Sequence, residues 1–249
     1  MVLTEEPLGG GNATEAVVRI GRTVRKPWTA SAASVHELLR AVRQSGVPAP
    51  RPLGRDERGR QTLEYVPGEI AMLATPLAPD GLARVGRLIR SIHDACAAFT
   101  PHENSSWEVL IPAEDEELVC HNDLAPWNLV LGERWVFIDW DGAGPSTRRW
   151  DLAYAAQAFT LNDVAQDPGA AGVRLRALVD GYGPDAALRA ALPTAVGERA
   201  TAMRDLLRTA RAEGREPWAT MHDAGHGAHW TAAAEYAVAH REVWAAALA

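Results

Sequence analysis

The spacing of apolar positions along the chain changes character twice. Residues 16–20 and 23–26 are short runs of strand-forming residues, and Gly21-Arg22 between them has the chemistry of a tight hairpin turn. From residue 34 to 45 the pattern lengthens. Val35, Leu38, Leu39 and Val42 recur at the spacing of one helical face. Gly46 follows where a left-handed residue ends a helix. Residues 47–50 are extended, residues 61–66 read as another strand, and Pro67-Gly68 breaks it.

Beyond that break the helical period dominates. Residues 80–99 predict a long amphipathic helix with Leu82, Val85, Leu88, Ile89, Ile92 and Cys96 inward. A charged connector, 114–117, leads to a β-hairpin of residues 129–131 and 135–138 around the turn Gly132-Glu133-Arg134. From Trp150 onward the chain is rich in Ala, Leu and Arg at helical spacing. Gly181-Tyr182-Gly183-Pro184 and Glu216-Pro217 interrupt it. The expectation is an α+β protein of two lobes: a small β-rich N-lobe over residues 1–67 and a larger, mainly helical C-lobe over 68–249.

Composition narrows the class. The chain has 249 residues, 47% of them hydrophobic, with no run near the ~20 apolar residues a membrane helix needs. Residues 1–12 carry two glutamates and three glycines and read as no signal peptide. Cys96 and Cys120 are too few for a disulfide framework, so a reduced, cytoplasmic protein is expected. A net charge of -7 argues against nucleic acid as partner. It suits a cationic ligand, and equally an ordinary solvated surface. Among 25 basic residues there is a single lysine, Lys26.

Chemistry concentrates in Cys120-His121-Asn122-Asp123-Leu124-Ala125-Pro126-Trp127-Asn128 and, across the hairpin, Ile138-Asp139-Trp140-Asp141. Asn128 precedes the first strand and Asp139 follows the second, so an antiparallel pair brings both to its open end. Asp123 lies in the loop entering the same edge. Two carboxylates and an amide oxygen are the hard donors that magnesium and a transferring phosphoryl group require.

These residues resemble the aminoglycoside phosphotransferase and choline-kinase-like enzymes, whose pattern is His-Gly-Asp-Leu-x-x-x-Asn and then Ile-Asp-Trp. Asp151-Leu152-Ala153 resembles the Asp-Leu-Ala that opens the family's next helix. The resemblance implies a two-lobed, protein-kinase-like fold that transfers the γ-phosphate of ATP or GTP, with Mg2+, to a small-molecule hydroxyl. On that basis Asp123 is the catalytic residue that receives or orients the hydroxyl proton, and Asn128 and Asp139 hold the metal. His121 braces the loop, and Asp151 is structural, bonding backbone or His121. Asn122 stands where the family has glycine, and asparagine tolerates left-handed backbone. Asp141 is a supporting acid or a substrate contact.

The nucleotide side is assigned more broadly. Gly10 and Gly11 resemble the family's shortened glycine-rich loop, and Glu64 and Val66 its hinge, where backbone groups would meet the adenine, with the Glu64 side chain expected in solvent. A phosphate-pairing cation is expected on the strand 23–26 and a glutamate on the following helix. Alternation leaves Lys26 or Arg25 for the first and Glu37 or His36 for the second. His93 is expected to pack and hydrogen-bond. His222, His226 and His229, with Asp223 and Trp230, suggest a wall of the acceptor pocket. Asp163, Asp167, Glu213, Glu216 and Asp223 are candidates for a negative cleft mouth, which would favour a cationic, aminoglycoside-like acceptor. The alternative is a relative that binds nucleotide or ligand without transferring phosphate.

Overall fold

The computed structural model describes residues 4–8 and 17–249. Near the N-terminus, β1 (Glu6–Pro7), β2 (Val18–Ile20), β3 (Thr23–Lys26), β4 (Pro52–Arg55) and β5 (Gln61–Glu64) form an antiparallel sheet in the order β1-β2-β3-β5-β4. The expected hairpin joins β2 and β3. Ile20 faces Thr23 across a two-residue turn, and Gly21 there has φ +59°. Helix α1 (Ala32–Gln44) buries Val35, Leu38, Leu39 and Val42, all at most 1% exposed, and Gly46 leaves it at φ +80°.

Strand β4 was not expected. It begins at a proline and carries a register irregularity at Gly54, φ +92°, so it shows none of the alternation that marks a strand.

The remainder is the larger, mainly helical part that the pattern predicts. Two small sheets stand within it: β6 (Glu69–Ile70) with the hairpin β8 (Leu129–Leu131) and β9 (Trp135–Phe137), and β7 (Leu118–Cys120) with β10 (Gly144–Ser146). The helices are α2 (Pro79–Ala97), α3 (Arg148–Ala156), α4 (Pro168–Tyr182), α5 (Ala186–Glu213), α6 (Trp218–Met221), α7 (Gly227–Ala239) and α8 (Arg241–Leu248), with α2 packed along α4 and α5 along α3 and α7. Both predicted interruptions are present. Gly183 at φ +67° ends α4, and Asp185 caps α5 by accepting from Leu188 N at 2.8 Å. Gly214 at φ +65° ends α5 shortly before Pro217.

Helices α2 and α4 touch backbone to backbone. A Cβ on Gly86 would collide with the Leu178 carbonyl, and one on Gly181 with the Ala83 carbonyl. Only glycine permits that approach. One continuous apolar core runs from Leu38 of α1 through Ile89 and Phe137 to Trp244 of α8. Among the described residues no helix is long and apolar enough to cross a membrane.

Candidate active site

The β8–β9 hairpin builds the site. Leu129 pairs with Phe137 in the last rung of the ladder. One step further out Ile138 N donates to Asn128 O at 2.8 Å, which sets Asn128 and Asp139 side by side at the open end. Asn128 is buried, and its amide nitrogen donates to both the Asp123 main-chain oxygen (3.0 Å) and Asp123 Oδ2 (2.7 Å). With both N–H groups spent on Asp123, the amide oxygen is turned the other way as a hard donor.

The loop carrying Asp123 is tied down on both sides. His121 Nε2 meets Ile138 O at 3.1 Å, and Asp123 N donates to His121 Nδ1 at 3.3 Å. A carbonyl on one nitrogen and an N–H on the other require the neutral ring with its proton on Nε2. The ring also packs against Trp140, centroids 4.6 Å apart. Asn122 has φ +65°, and its side chain donates to Gly142 O (3.1 Å) and Gly144 O (3.3 Å). An asparagine can therefore stand where glycine is usual, adding two bonds to the segment that follows Asp139.

Lys26 reaches this end from the sheet. It is 5% exposed, and its Nζ lies 2.8 Å from Asp139 Oδ1 and 2.7 Å from Asp141 Oδ2. Burial alone would lower the lysine pKa, but the charges of Asp139 and Asp141 outweigh it and hold it above the ordinary value. Lys26 in turn holds the Asp139 carboxyl below its usual range, against the opposing effect of burial. Burial pushes the Asp123 carboxyl up, with the Asp139 charge adding to the rise and the hydrogen bond from Asn128 opposing it. Arg25 leaves the strand on the other face and pairs with Asp56 at 3.4 Å, so it is not brought to this group. On α1, Glu37 is exposed and His36 is buried, edge-on to Trp28 at 5.2 Å. Burial lowers the His36 pKa and keeps its ring neutral.

Two expectations are corrected. The Glu64 side chain is not left in solvent: Arg134 of the hairpin turn donates to Oε1, Arg51 N donates to Oε2 at 3.0 Å, and Arg43 stands 3.5 Å away. The end of β5 lies against that turn, so the sheet is clamped to the catalytic hairpin there. Asp151 does not bond His121, whose two nitrogens are already occupied. It faces α2, where Oδ2 meets His93 Nε2 at 3.1 Å, and His93 Nδ1 meets the Tyr182 hydroxyl at 3.0 Å. Val66 is buried with Val130 and Val136, flanked by Ile70 and Ile138. Gly10 and Gly11 lie outside the described residues.

The sequence missed a group beside Asp123. The Tyr154 hydroxyl is turned to the Asp123 carboxylate. Its ring stacks on Trp230 (6.1 Å, 14°), meets Trp127 edge-on (6.3 Å), and carries the Arg199 guanidinium at 4.2 Å. Tyr154 sits one helical turn beyond Asp151 on the same inward face, a signal that could have singled it out. Arg199 is one of many arginines and carried no such mark. The three histidines do not keep one face, because Gly225 at φ +107° breaks the helix between them. His229 bonds Asn162 Oδ1 at 2.9 Å and packs edge-on to Trp230, while His222 pairs with Asp223. The acids expected at a negative mouth are held locally. Asp167 caps α4, Asp163 accepts from Ala165 N, Glu216 from Thr220 N, Asp223 pairs with Arg211, and Glu213 lies 3.8 Å from Arg215.

The phosphotransferase enzyme family model matches residues 8–109 and 95–192, a span that includes the whole hairpin site. The chain belongs to the phosphotransferase enzyme family. The resemblance carried by His121, Asp123, Asn128 and Asp139 is thereby borne out. A trifolitoxin immunity protein of Rhizobium leguminosarum bv. trifolii is 34% identical over 192 residues, covering 71% of this chain and 73% of that protein. Among solved structures, a microcompartment-associated aminopropanol kinase superposes with TM-score 0.68 at 15% identity, covering 99% of this chain and 95% of that one. An amicoumacin kinase, solved with AMP-PNP, Ca2+ and Ami, gives 0.63 at 12% identity, over 84% and 81% of the two chains. This phosphotransferase therefore has the kinase-like fold of small-molecule kinases.

Proposed function

We propose that the protein transfers the γ-phosphoryl group of ATP or GTP to a hydroxyl of a small, amine-bearing acceptor. The observation that carries the reading is the meeting of Asp123, Asn128, Asp139 and Lys26 at the open end of one hairpin. Asp123 takes or orients the acceptor's hydroxyl proton, held in place by Asn128 and by Asp123 N on His121. Asn128 Oδ1 and the Asp139 carboxylate, which is 44% exposed, form a hard-oxygen donor pair that fits magnesium. When bound, that ion would neutralise charge on the transferring phosphates. Lys26 binds the phosphates, and Gly10 and Gly11 are assigned to nucleotide binding on the same reading. The Glu64 and Val66 backbone, with the apolar surface of Val66, Val130 and Ile138, receives the base. The division into a nucleotide-holding part, 1–67, and a catalytic, acceptor-holding part, 68–249, belongs to the same reading.

For the acceptor, the Asp123 carboxylate, with the partly exposed Trp127 in the same loop, is a counter-charge that favours an ammonium group over a neutral acceptor. The name of one neighbour, an aminopropanol kinase, points to an amino alcohol, and those of an immunity protein and an amicoumacin kinase keep antibiotics among the candidate acceptors. The neutral His36 on α1 favours the alternative, binding without transfer, while the intact Asp123–Asn128–Asp139 group argues against it. A panel of aminoglycosides, peptide antibiotics, amino sugars and small amino alcohols, incubated with ATP or GTP and magnesium, decides by mass spectrometry. The expected result is an acceptor heavier by one phosphoryl group. Tight nucleotide and acceptor binding with no product from any acceptor would establish the alternative.

A further inference from the structure

We propose that Asp141 is the positioning residue for Lys26, performing from the catalytic hairpin the task expected of a glutamate on α1. This rests on the reading above in which Lys26 meets the nucleotide phosphates. The case begins with what α1 can offer. Glu37 points to solvent, and His36, the residue that does face the Lys26 neighbourhood, is neutral. A neutral ring cannot balance a buried ammonium. Two carboxylates contact that ammonium, Asp139 and Asp141, at 2.8 and 2.7 Å.

These two acids are not equivalent. Asp139 is the proposed metal ligand, so its charge is claimed once nucleotide and metal arrive. Asp141 then remains as the counter-charge that keeps Lys26 in place, and a buried ammonium without one is strongly disfavoured. The local backbone supports this use. Asp139 is left-handed (φ +60°), and residues 140–142 form one tight turn that sends the side chains of 139 and 141 to the same lysine. That turn is pinned by Trp140 Nε1 on Phe137 O at 2.9 Å, by Ala143 N on Trp140 O at 2.9 Å, and by Asn122 on Gly142 O. The phosphate-binding lysine is thus positioned by the same rigid element that carries the metal ligands, without an ion pair to α1.

The test is a double-mutant cycle on nucleotide dissociation constants in magnesium, using Asp141→Asn, Lys26→Met and the double variant, with thermal melts as the folding control. Each single change is expected to weaken nucleotide binding roughly tenfold or more, the scale of a lost charged hydrogen bond. The double variant should be no weaker than Lys26→Met alone, and Asp141→Glu should restore most of the affinity. If Asp141→Asn keeps its full effect in the Lys26→Met background, Asp141 acts by itself, for example on the metal, and the proposal fails. A second readout needs no nucleotide. Lys26 is the chain's one lysine, so amine acylation followed by peptide mass spectrometry reports its protection directly. Labelling should speed up in Asp141→Asn, or in Asp141→Ser should the former not fold, and stay slow in Asp141→Glu. Equal labelling in all would overturn the pairing. A wild-type protein that binds no nucleotide yet shows this labelling pattern would sink the proposed function and uphold the pairing.

Discussion

Asn122 and Asp139 are the two non-glycine residues with positive φ among the described residues; one opens the loop carrying Asp123 and the other the turn at 140–142. Such backbone costs roughly 1 kcal/mol or more and persists where neighbouring bonds hold it. Asn122 has that support from Gly142 and Gly144, which explains how it replaces glycine. That Asp123, Asn128 and Asp139 would meet was readable because a hairpin fixes what its ends bring together. Whether Lys26 or Arg25 faced the site was not readable. A four-residue strand alternates equally well in either register, and only the placement of the sheet against the hairpin decides. His36 offers a test of its own. Its folded pKa lies below the ~6.5 of the unfolded chain, so on acidification the unfolded state takes up the proton first. Stability is then full above about pH 7 and falls as pH drops through the window below 6.5. Urea midpoints at pH 7.5 and 5.5 should differ more for the wild type than for His36→Gln. Equal differences would show that the buried ring does not carry this dependence.

At the scale of elements, the long helices announced themselves, because their inward positions recur over several turns. Strand β4 did not: a proline start and a bulge at Gly54 leave it without period. The partner of Asp151 escaped for a related reason, since it depends on how α2 crosses α4 and α3. That crossing gives a sharp prediction. A methyl group on Gly86 would meet the Leu178 carbonyl and stand 2.6 Å from Tyr182 N, backbone atoms that cannot turn aside. Gly86→Ala should therefore destabilise the protein by about 1–3 kcal/mol in chemical denaturation, despite the better helix propensity of alanine. A neutral or stabilising result would show that α2 and α4 can separate freely. Because Tyr182 also bonds His93, the same variant should loosen the His93–Asp151 pair beside Cys120 of β7.

For the whole molecule, the net charge of -7 includes five acids considered for a negative mouth, each of which has a local partner. In the C-terminal half Asp167 and Asp185 cap helices and Asp180, Asp205 and Asp223 pair with arginines, while Lys26 balances Asp139 and Asp141. On the proposed reading, attraction of an amine-bearing acceptor then falls to Asp123, a short-range arrangement. The acceptor KM is expected to change less than about threefold between low and physiological salt, since screening acts mainly on charges more than ~8–10 Å apart. A steep rise would point to a long-range field that the paired acids do not supply. The central claim is phosphoryl transfer with Asp123 as the base. Its most direct measurement is turnover and nucleotide affinity, side by side, for the wild type and Asp123→Asn on an acceptor found by the panel. The account predicts that turnover falls at least ~100-fold while nucleotide binding and melting temperature stay near wild type. A variant that still turns over at the wild-type rate would contradict it.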